Sequence, residues 1–334
     1  MNSNIPLVSV VCTCYNHGKY IREALDSILK QKTNFMFEVI VHDDASTDNS
    51  AEIIKEYYNN YPDIIVPILQ TENQYSKNVR INSTFIYPKV RGKYIALCEC
   101  DDYWIDDTKL QKQVEYLESH AECSACIHSA YKVDATTKKV LKQIVLSDVD
   151  RDFSINEAIE GLGSNAATNS FIFRSKYIPD FLKFYNMLPN TGVGDYLILV
   201  FLSILGKIHY KNEFMSVYRG NVNNSWTDIM RNSIFEHIQY LNKHIELLNG
   251  LFDIIPKEYH KILQQYILKK EYSLALLKGN ILTAKKYPCL YKYLTTKEKV
   301  KVIIRYLLLS LDKTGKLYDN ITKINQSFRK TNNG

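Results

Sequence analysis

Several common signatures of nucleotide-binding and membrane proteins are missing from this 334-residue chain. No G-x-G-x-x-G follows the first strand-like run and no G-x-x-x-x-G-K-[ST] occurs, which excludes the dinucleotide fingerprint and the P-loop. No window reaches the roughly 18 consecutive apolar residues that a membrane span needs, and residues 1–6 show no signal-peptide pattern. We therefore expect a protein that begins and stays in the cytoplasm.

Cysteine gives no sign of a disulfide framework. The chain has seven cysteines, an odd number, and several lie in or beside strand-like runs: Cys12, Cys14, Cys98 and Cys100. Cys123 and Cys126 have redox-motif spacing, but no second Cys pair or histidine stands at zinc spacing. This pattern favours buried free thiols in a reducing compartment over a metal or redox role.

Charge is distributed unevenly along the chain. The formal net charge is +6, yet residues 261–334 hold 16 Lys and Arg against 4 Asp and Glu. Residues 1–260 therefore hold 26 basic against 32 acidic residues. A basic module follows a mildly acidic one.

The first hundred residues alternate between strand and helix patterns. Apolar runs predict four strands, at residues 7–13, 37–42, 64–69 and 94–98. Apolar residues at three- and four-residue spacing predict helices between the first three strands. This order is typical of an α/β fold with a doubly wound, mainly parallel sheet flanked by helices. Residues 229–312 are helical in pattern, so we divide the chain into a domain at 1–228 and a basic helical C-terminal module at 229–334.

Acidic side chains follow two of the predicted strands. One cluster is Asp43 and Asp44, and the other is Glu99, Asp101 and Asp102. Because the carboxyl ends of parallel strands lie at one edge of a sheet, both clusters can face one crevice. Adjacent carboxylates repel each other, and a divalent cation that grips a phosphate is a common reason to hold them together. The alternative is that Asp101 and Asp102 only cap the helix that begins near Asp107.

A crevice with neither a Gly-rich cradle nor a P-loop lysine must neutralise a diphosphate in another way. Mg²⁺ or Mn²⁺ held by carboxylates does so. We therefore predict a metal-diphosphate site and a nucleotide-activated substrate.

Four blocks of the chain resemble, in order, the signatures of family 2 glycosyltransferases with the GT-A fold. They are Val8–Asn16, Val41–Asp48, Leu97–Trp104 and Asp107–Gln113. The resemblance extends over residues 5–225. It implies a GT-A fold and an inverting, hexosyltransferase-type enzyme (EC 2.4). Such an enzyme moves a sugar from a nucleotide-diphosphate donor, here a UDP-sugar, to a hydroxyl of a saccharide or lipid-linked acceptor in surface polysaccharide biosynthesis.

The same resemblance implies which residues bind the donor. Those that would hold its uracil and ribose are Thr13, Cys14, Tyr15, Asn16, Asp43 and Asp44. Asp101 and Asp102 would form the metal-diphosphate motif, with Asp102 as the direct ligand of Mn²⁺ or Mg²⁺. Glu99 would be the displaced first acid of the family's D-x-D.

Asp195 is the expected general base. It opens an apolar helix that ends at Gly206, where an acid is also explained as an N-cap or first-turn residue favoured by the helix dipole. Members of the family place their catalytic base in a matching acidic block at a helix start. We therefore expect Asp195 to be the base, with a purely capping role as the alternative.

Residues 217–226 resemble the family's closing Tyr-Arg-x-His segment, with a departure. Asn221 stands where the histidine that can complete the metal site would fall. An amide is a weaker metal ligand than imidazole, so either water or His17 fills that position, or the loop acts on the diphosphate through Arg219. Arg219 could also be a plain surface residue.

Residues 297–313 set lysine and arginine around an apolar centre, a pattern typical of a basic amphipathic helix. Such a helix either packs on its own domain or lies on an anionic membrane surface. Membrane binding would bring the active site to a lipid-linked acceptor at the inner face of the cell membrane. We expect no nucleic-acid partner.

Two other functions stay open. A sugar nucleotidyltransferase shares a nucleotide crevice with acidic metal ligands, although the Gly-rich, Arg-containing loop of those enzymes does not follow the first strand. A catalytically silent binding module that docks at a membrane through the basic tail is the other alternative. Asn221 in place of the metal-site histidine favours it.

Overall fold

The computed structural model describes residues 5–190, 194–222, 230, 233–292, 294–312 and 315–320. The chain forms two compact units that divide after Val222. The expected boundary at 228/229 lies outside the described residues. So do residues 191–193 and 223–226 of the two motifs considered above, and residue 313 of the basic segment.

The first unit is built on one sheet of ten strands. These are β1 (Val8–Cys14), β2 (Phe37–Asp43), β3 (Ile65–Leu69), β4 (Tyr94–Leu97), β5 (Tyr103–Trp104), β6 (Cys123–Asp134), β7 (Val140–Ile144), β8 (Arg151–Phe153), β9 (Ile172–Arg174) and β10 (Lys207–Gly220). The strand order is β3-β2-β1-β4-β9-β6-β10-β5, with β7 paired to β6 and β8 to β10. The four strands from β3 to β4 are parallel, whereas β9 runs antiparallel to β4.

Helices cover this sheet. They are α1 (Ile21–Leu29), α2 (Ser50–Asn60), α3 (Lys109–Ser119), α4 (Ile155–Ile159), α5 (Leu162–Asn165), α6 (Ile178–Asn186) and α7 (Gly194–Leu205). Each of the longer ones buries an apolar stripe, as α1 does with Ile21, Leu25 and Ile28. Val8, Val10 and Cys12 of β1 are fully buried, which fits a strand at the centre of the sheet.

The predicted mainly parallel sheet, its flanking helices and the helical C-terminal region are confirmed. The four predicted strands lie within a residue of their observed bounds. The sequence pattern did not predict β10, the longest strand, which pairs in parallel with β6. The polar residues 211–213 interrupt its apolar pattern at a point where the pairing register shifts, so its sequence lacks a continuous strand period.

The polar segment between β3 and β4 is folded rather than extended. It contains the 3-10 turns Tyr75–Lys77 and Tyr87–Lys89 and a π-helical turn at Asn82–Ile86. Arg80 stacks on the ring of Tyr185 at 3.9 Å and donates hydrogen bonds to the backbone carbonyl groups of Tyr185 and Leu188. These contacts fasten the segment to the end of α6, close to the start of α7.

The second unit is helical. Its helices are Ile234–Gly250, His260–Leu277, Ile281–Ala284, Pro288–Tyr291 and Thr296–Leu311. The last begins with a reciprocal capping box between Thr295 and Glu298. Among the described residues, none of the helices combines the length and the apolarity required to cross a bilayer.

Candidate active site

The carboxyl ends of β1 and β4 deliver an acidic segment to one edge of the sheet. Beyond β4, the backbone N–H of Cys98 donates to the carbonyl of Val11, and the N–H of Cys100 donates to that of Thr13, both at 3.0 Å. Pairing with β1 therefore continues past the last residue of β4. As a result, residues 99–102 lie beside the end of β1, as the sequence pattern predicted.

Glu99, Asp101 and Asp102 form a compact group of carboxylates. One oxygen of each lies within 4.8 Å of one oxygen of the others. Burial, followed by the charges of Asp101 and Asp195, raises the pKa of Glu99 to about 8. Burial, followed by the charges of Asp101 and Glu99, also raises the pKa of Asp102 well above its usual value. Three convergent carboxylates, two of which have a raised pKa, fit a hard divalent cation that takes oxygen ligands.

Hydrogen bonds to both of its oxygens fix the side chain of Asp102. Its side chain is fully buried, and its Oδ1 accepts the backbone N–H of Arg219 at 2.8 Å. Its Oδ2 accepts the side-chain amide of Asn169 at 2.9 Å. The Asn169 amide also donates to the carbonyl of Val217, and its oxygen accepts the hydroxyl of Ser216. Both oxygens of Asp102 therefore accept hydrogen bonds, one directly from β10 and one from Asn169, which is itself bonded to β10.

Arg219 is enclosed rather than directed at the crevice. It is 3% exposed, and its guanidinium donates to the carbonyl of Asp101 and to the carboxylate of Glu23. The guanidinium carbon lies 4.5 Å from the centre of the Tyr103 ring and 5.1 Å from that of Tyr20. Neither the diphosphate contact nor the surface position considered for Arg219 fits these surroundings.

Asn221 is directed away from the acidic group. Its backbone has φ +61°, a left-handed conformation that asparagine tolerates. Its side-chain nitrogen donates to Oδ2 of Asp134, the last residue of β6, at 2.6 Å. Asn221 thus joins the end of β10 to the β6–β7 hairpin.

His17 is the histidine that reaches the acidic group. Its Nδ1 lies 4.0 Å from Oδ1 of Asp101. That nitrogen is buried and has no hydrogen-bond partner among the described residues. Of the two protein side chains considered for the position of the family's histidine, the structure brings His17 to Asp101 and turns Asn221 elsewhere.

Asp195 lies in the first turn of α7, where its carboxylate bonds to the backbone and its charge acts on Glu99. Its Oδ1 accepts the backbone N–H of Tyr196 at 2.8 Å. Burial raises the pKa of Asp195, and its charge in turn contributes to the raised pKa of Glu99. The structure therefore brings Asp195 into the neighbourhood of the acidic segment, although almost a hundred residues separate them.

The residues at the end of β1 that are expected to bind the nucleotide differ in their exposure. Tyr15, which is 46% exposed, and Asn16 lie at the surface, and Thr13 is partly exposed. Cys14 is buried, and its pKa is raised. The side-chain oxygen of Asn16 accepts the backbone N–H of Thr47 at 2.8 Å, which joins the loop after β1 to the loop after β2.

Asp43 and Asp44 are buried and organise the loops around this edge. Asp43 accepts both the backbone N–H and the hydroxyl of Ser46. Asp44 accepts the backbone N–H groups of Gln74 and Tyr75 at 2.8 and 3.0 Å. Asp44 thus positions Tyr75, an exposed aromatic residue that sequence reasoning missed because its segment has no regular pattern.

The chain is similar to known proteins over much of its length. Residues 9–179 match the family model described as glycosyl transferase family 2. An uncharacterised protein of Mycobacterium tuberculosis is 37% identical over 220 residues, which are 66% of this chain and 60% of that protein. The chain therefore spans about 60% of the length of that relative.

Some of the similar proteins have a stated ligand or substrate. The UDP-Glc:alpha-D-GlcNAc-diphosphoundecaprenol beta-1,3-glucosyltransferase WfaP of Escherichia coli is 31% identical over 113 residues, 34% of this chain and 42% of that protein. The structure of TarS residues 1–349 from S. aureus, in complex with UDP, superimposes with a TM-score of 0.55 at 17% identity, covering 90% of this chain and 88% of that one. At this identity the superposition bears on the fold alone, and it confirms the predicted GT-A type.

Proposed function

Because the chain belongs to glycosyltransferase family 2, we propose that it transfers a sugar from a nucleotide-diphosphate donor to an acceptor hydroxyl with inversion. One observation carries the proposal. The carboxylates of Glu99, Asp101 and Asp102 converge at the end of β4, and Asp195 stands close enough to raise the pKa of Glu99. A cation-diphosphate site and a separate base are the two parts that such a transfer needs.

A UDP-sugar is the proposed donor. WfaP, a relative, is named for UDP-Glc, and TarS was solved with UDP. Tyr15 offers an exposed ring on which a base can stack, next to loops that Asp43 and Asp44 hold in place. We propose that Asp43 and Asp44 determine the shape of the nucleotide pocket, because their oxygens accept hydrogen bonds from the loops that line it.

Glu99 and Asp101 are the residues that would hold Mn²⁺ or Mg²⁺. Both are partly exposed, whereas Asp102 is fully buried behind them. When bound, the cation supplies positive charge for the diphosphate leaving group. Asp102 instead keeps the acidic segment in register with β10 through Arg219 and Asn169.

Asp195 is the proposed general base. It takes the proton from the acceptor hydroxyl while that oxygen bonds to the anomeric carbon and the bond from this carbon to the diphosphate oxygen breaks. A single in-line displacement of this kind inverts the anomeric centre. Burial raises the pKa of Asp195 towards the range in which a carboxyl group accepts protons efficiently at neutral pH.

A thermal-shift panel tests the donor assignment. UDP, GDP, CDP and dTDP would each be added with Mn²⁺ and with EDTA. We expect UDP alone to stabilise the protein and to do so only with the metal, by about 2.7 kcal/mol at about 100 times its Kd. Absence of a shift with all four would contradict the proposal and favour the silent binding module.

We further propose that the acceptor is lipid-linked and that the second unit docks on an anionic bilayer. The helix Thr296–Leu311 exposes an apolar stripe whose members are 46–78% exposed: Val300, Ile303, Ile304, Leu307 and Leu311. Successive members are one, three or four residues apart, so they lie on one side of the helix. Residues 285–311 also contain seven basic residues against one acidic residue, which suits a negatively charged surface.

Contacts on other sides of this helix fix the direction of the stripe. Arg305 donates to the carbonyl of Leu276 at 3.0 Å and to the hydroxyl of Tyr318. Gly279, at φ +72°, lies so close to the helix that a Cβ there would stand 2.3 Å from the backbone nitrogen of Tyr306. The stripe is therefore presented by a helix that is already packed within its own unit.

Vesicle co-sedimentation tests the docking proposal with the full chain. We expect binding to phosphatidylglycerol vesicles, weaker binding at high salt and little binding to phosphatidylcholine vesicles. Leu307→Glu should remove most of the binding, whereas Val149→Glu, which adds the same charge at an exposed apolar residue of the first unit, should not. Equal sedimentation of Leu307→Glu and the unaltered protein would contradict the docking role.

A further inference from the structure

We infer that His17 is a ligand of the cation site, in place of the histidine that Asn221 replaces in the closing segment. The inference rests on the proposed function, because it adds a residue to the same site. The sequence leaves water, His17 and Arg219 open at this position, and the geometry around His17 favours the histidine.

The distance from His17 to Asp101 suits two ligands of one ion. Nδ1 of His17 and Oδ1 of Asp101 are 4.0 Å apart, which is too long for a hydrogen bond. Divalent ions bind nitrogen and oxygen ligands at about 2.0–2.2 Å, so two ligands on opposite sides of one ion stand about 4 Å apart. The gap between these atoms therefore accommodates an ion without a large movement of either side chain.

The missing hydrogen bond of the His17 imidazole also supports a metal ligand at this position. Nδ1 of His17 is buried and has no hydrogen-bond partner among the described residues. Buried polar atoms in native structures nearly always have a partner, and one that lacks it calls for an unseen ion, water or ligand. Here the nearest carboxylate is Asp101, which already belongs to the acidic group.

The backbone around His17 is fixed independently of any ligand. The N–H of His17 donates to the hydroxyl of Ser50 at 3.0 Å, and the N–H of Gly18 donates to Asp48 at 2.9 Å. Asn16 has φ +58°, and its N–H donates to the hydroxyl of Ser46 at 2.8 Å. The loop after β2 thus holds the loop after β1 in a shape that points the imidazole at Asp101.

Gly18 is part of this arrangement. A Cβ at Gly18 would stand 2.0 Å from the side-chain oxygen of Asn49, so the two loops approach closely here and a larger residue would displace that exposed side chain. Asn221, by contrast, donates its amide to Asp134 and belongs to the hairpin side of β10. The nitrogen ligand has therefore moved from the closing segment to the first loop.

A nitrogen ligand also changes which metal the site prefers. Mg²⁺ takes oxygen ligands and keeps several waters, whereas affinity for nitrogen-containing sites rises from Mn²⁺ through Co²⁺. Loss of His17 should therefore weaken Mn²⁺ binding more than Mg²⁺ binding. A role confined to packing would weaken both equally.

Pulsed electron paramagnetic resonance of Mn²⁺ bound with UDP tests the inference directly. The unaltered protein should show nitrogen modulation from a coordinated imidazole, and His17→Ala should lose it. His120→Ala is the matched control, because that histidine makes its side-chain contacts with Tyr116 and Ser119 at the end of α3. Since even outer partners of metal ligands contribute 10–100-fold, we expect Mn²⁺ affinity to fall by at least about tenfold in His17→Ala.

The outcomes separate this inference from the proposed function. If the unaltered protein binds UDP with Mn²⁺ but shows no imidazole signal, or if His17→Ala keeps it, His17 is not a ligand and the proposed function stands. If the unaltered protein shows no metal-dependent UDP binding, both the inference about His17 and the proposed function are wrong. His17→Asn, which retains a weaker ligand of similar size, should lose the signal with an unchanged melting temperature, so a folding defect cannot imitate the result.

Discussion

The backbone N–H of Arg219 lies 2.8 Å from Oδ1 of Asp102 and joins the last long strand of the sheet to the acidic segment after β4. The contact crosses 117 residues of sequence. It turns the third acid of the segment inward, so that Glu99 and Asp101 remain at the crevice. Substitutions of the three acids should therefore differ in their effects on stability and on metal-dependent UDP binding.

Substitution of Asp102 by alanine should reduce stability more than it alters the chemistry of the crevice. The change removes the acceptor of two buried donors, the N–H of Arg219 and one of the two N–H groups of the Asn169 amide, which costs about 1–3 kcal/mol for each. A clear fall in melting temperature, measured in EDTA, would support this. An unchanged melting temperature together with lost metal-dependent UDP binding would instead restore Asp102 as a direct ligand.

Substitution of Asp101 by asparagine should leave the stability of the protein unchanged and weaken its metal-dependent binding of UDP. Its side chain is partly exposed and faces His17, so the fold should tolerate the change. Calorimetry should show weaker UDP binding in Mn²⁺ and no change in EDTA. Asp180→Asn, at an exposed acid on α6, serves as the control and should bind UDP like the unaltered protein.

Asp195→Asn should keep UDP binding and lose about 10²–10⁴-fold in transfer rate, the usual contribution of a general base. Asparagine retains an oxygen that can accept the N–H of Tyr196, so this hydrogen bond in the first turn of α7 is kept. Single-turnover transfer from a UDP-sugar would measure the effect. Transfer at the unaltered rate would reduce Asp195 to a cap, the alternative that the sequence left open.

The contribution of Glu99 to the stability of the metal-free protein should fall as pH rises from about 5 to about 8. Burial and neighbouring acids raise the pKa of Glu99 to about 8, so in this range the folded state keeps a proton that the unfolded state releases. Where the folded state binds more protons, the free energy of unfolding decreases with rising pH. Asp102, with its pKa raised in the same direction, adds to this slope.

Melting temperatures in EDTA across this pH range would check the prediction. Glu99→Gln should gain melting temperature relative to the unaltered protein as pH rises, whereas Glu52→Gln, at an exposed acid on α2, should not. Identical slopes in all three proteins would show that Glu99 ionises in the folded state as readily as in the unfolded one.

The strands of the first half and the meeting of their acidic ends were predictable for a simple reason. Central parallel strands are covered on both faces, so β1 needs a nearly continuous apolar run, and such a run is visible in sequence. The carboxyl ends of parallel strands share one edge, so acids after β2 and β4 must lie near each other. Local periodicity and one rule of topology are enough for both conclusions.

β10 and Asn169 could not be predicted in the same way. β10 carries polar residues where its pairing with β6 shifts register, so its strand period is broken. Asn169 lies in a short 3-10 turn and gains its role only because that turn packs beside Asp102 and Ser216. Neither feature leaves a repeating pattern in the chain.

The sequence by itself determined that Glu99, Asp101 and Asp102 would gather at one edge of the sheet, because their spacing follows directly from the end of β4. Only the tertiary structure decided which of them faces outward. Asp102 turns inward because Arg219 and Asn169, 117 and 67 residues away, donate hydrogen bonds to it. His17 meets Asp101 for a similar reason, since the loop after β2 holds its backbone. Burial and hydrogen-bond partners at such separations depend on how the whole chain packs, so they cannot be predicted from the spacing of residues.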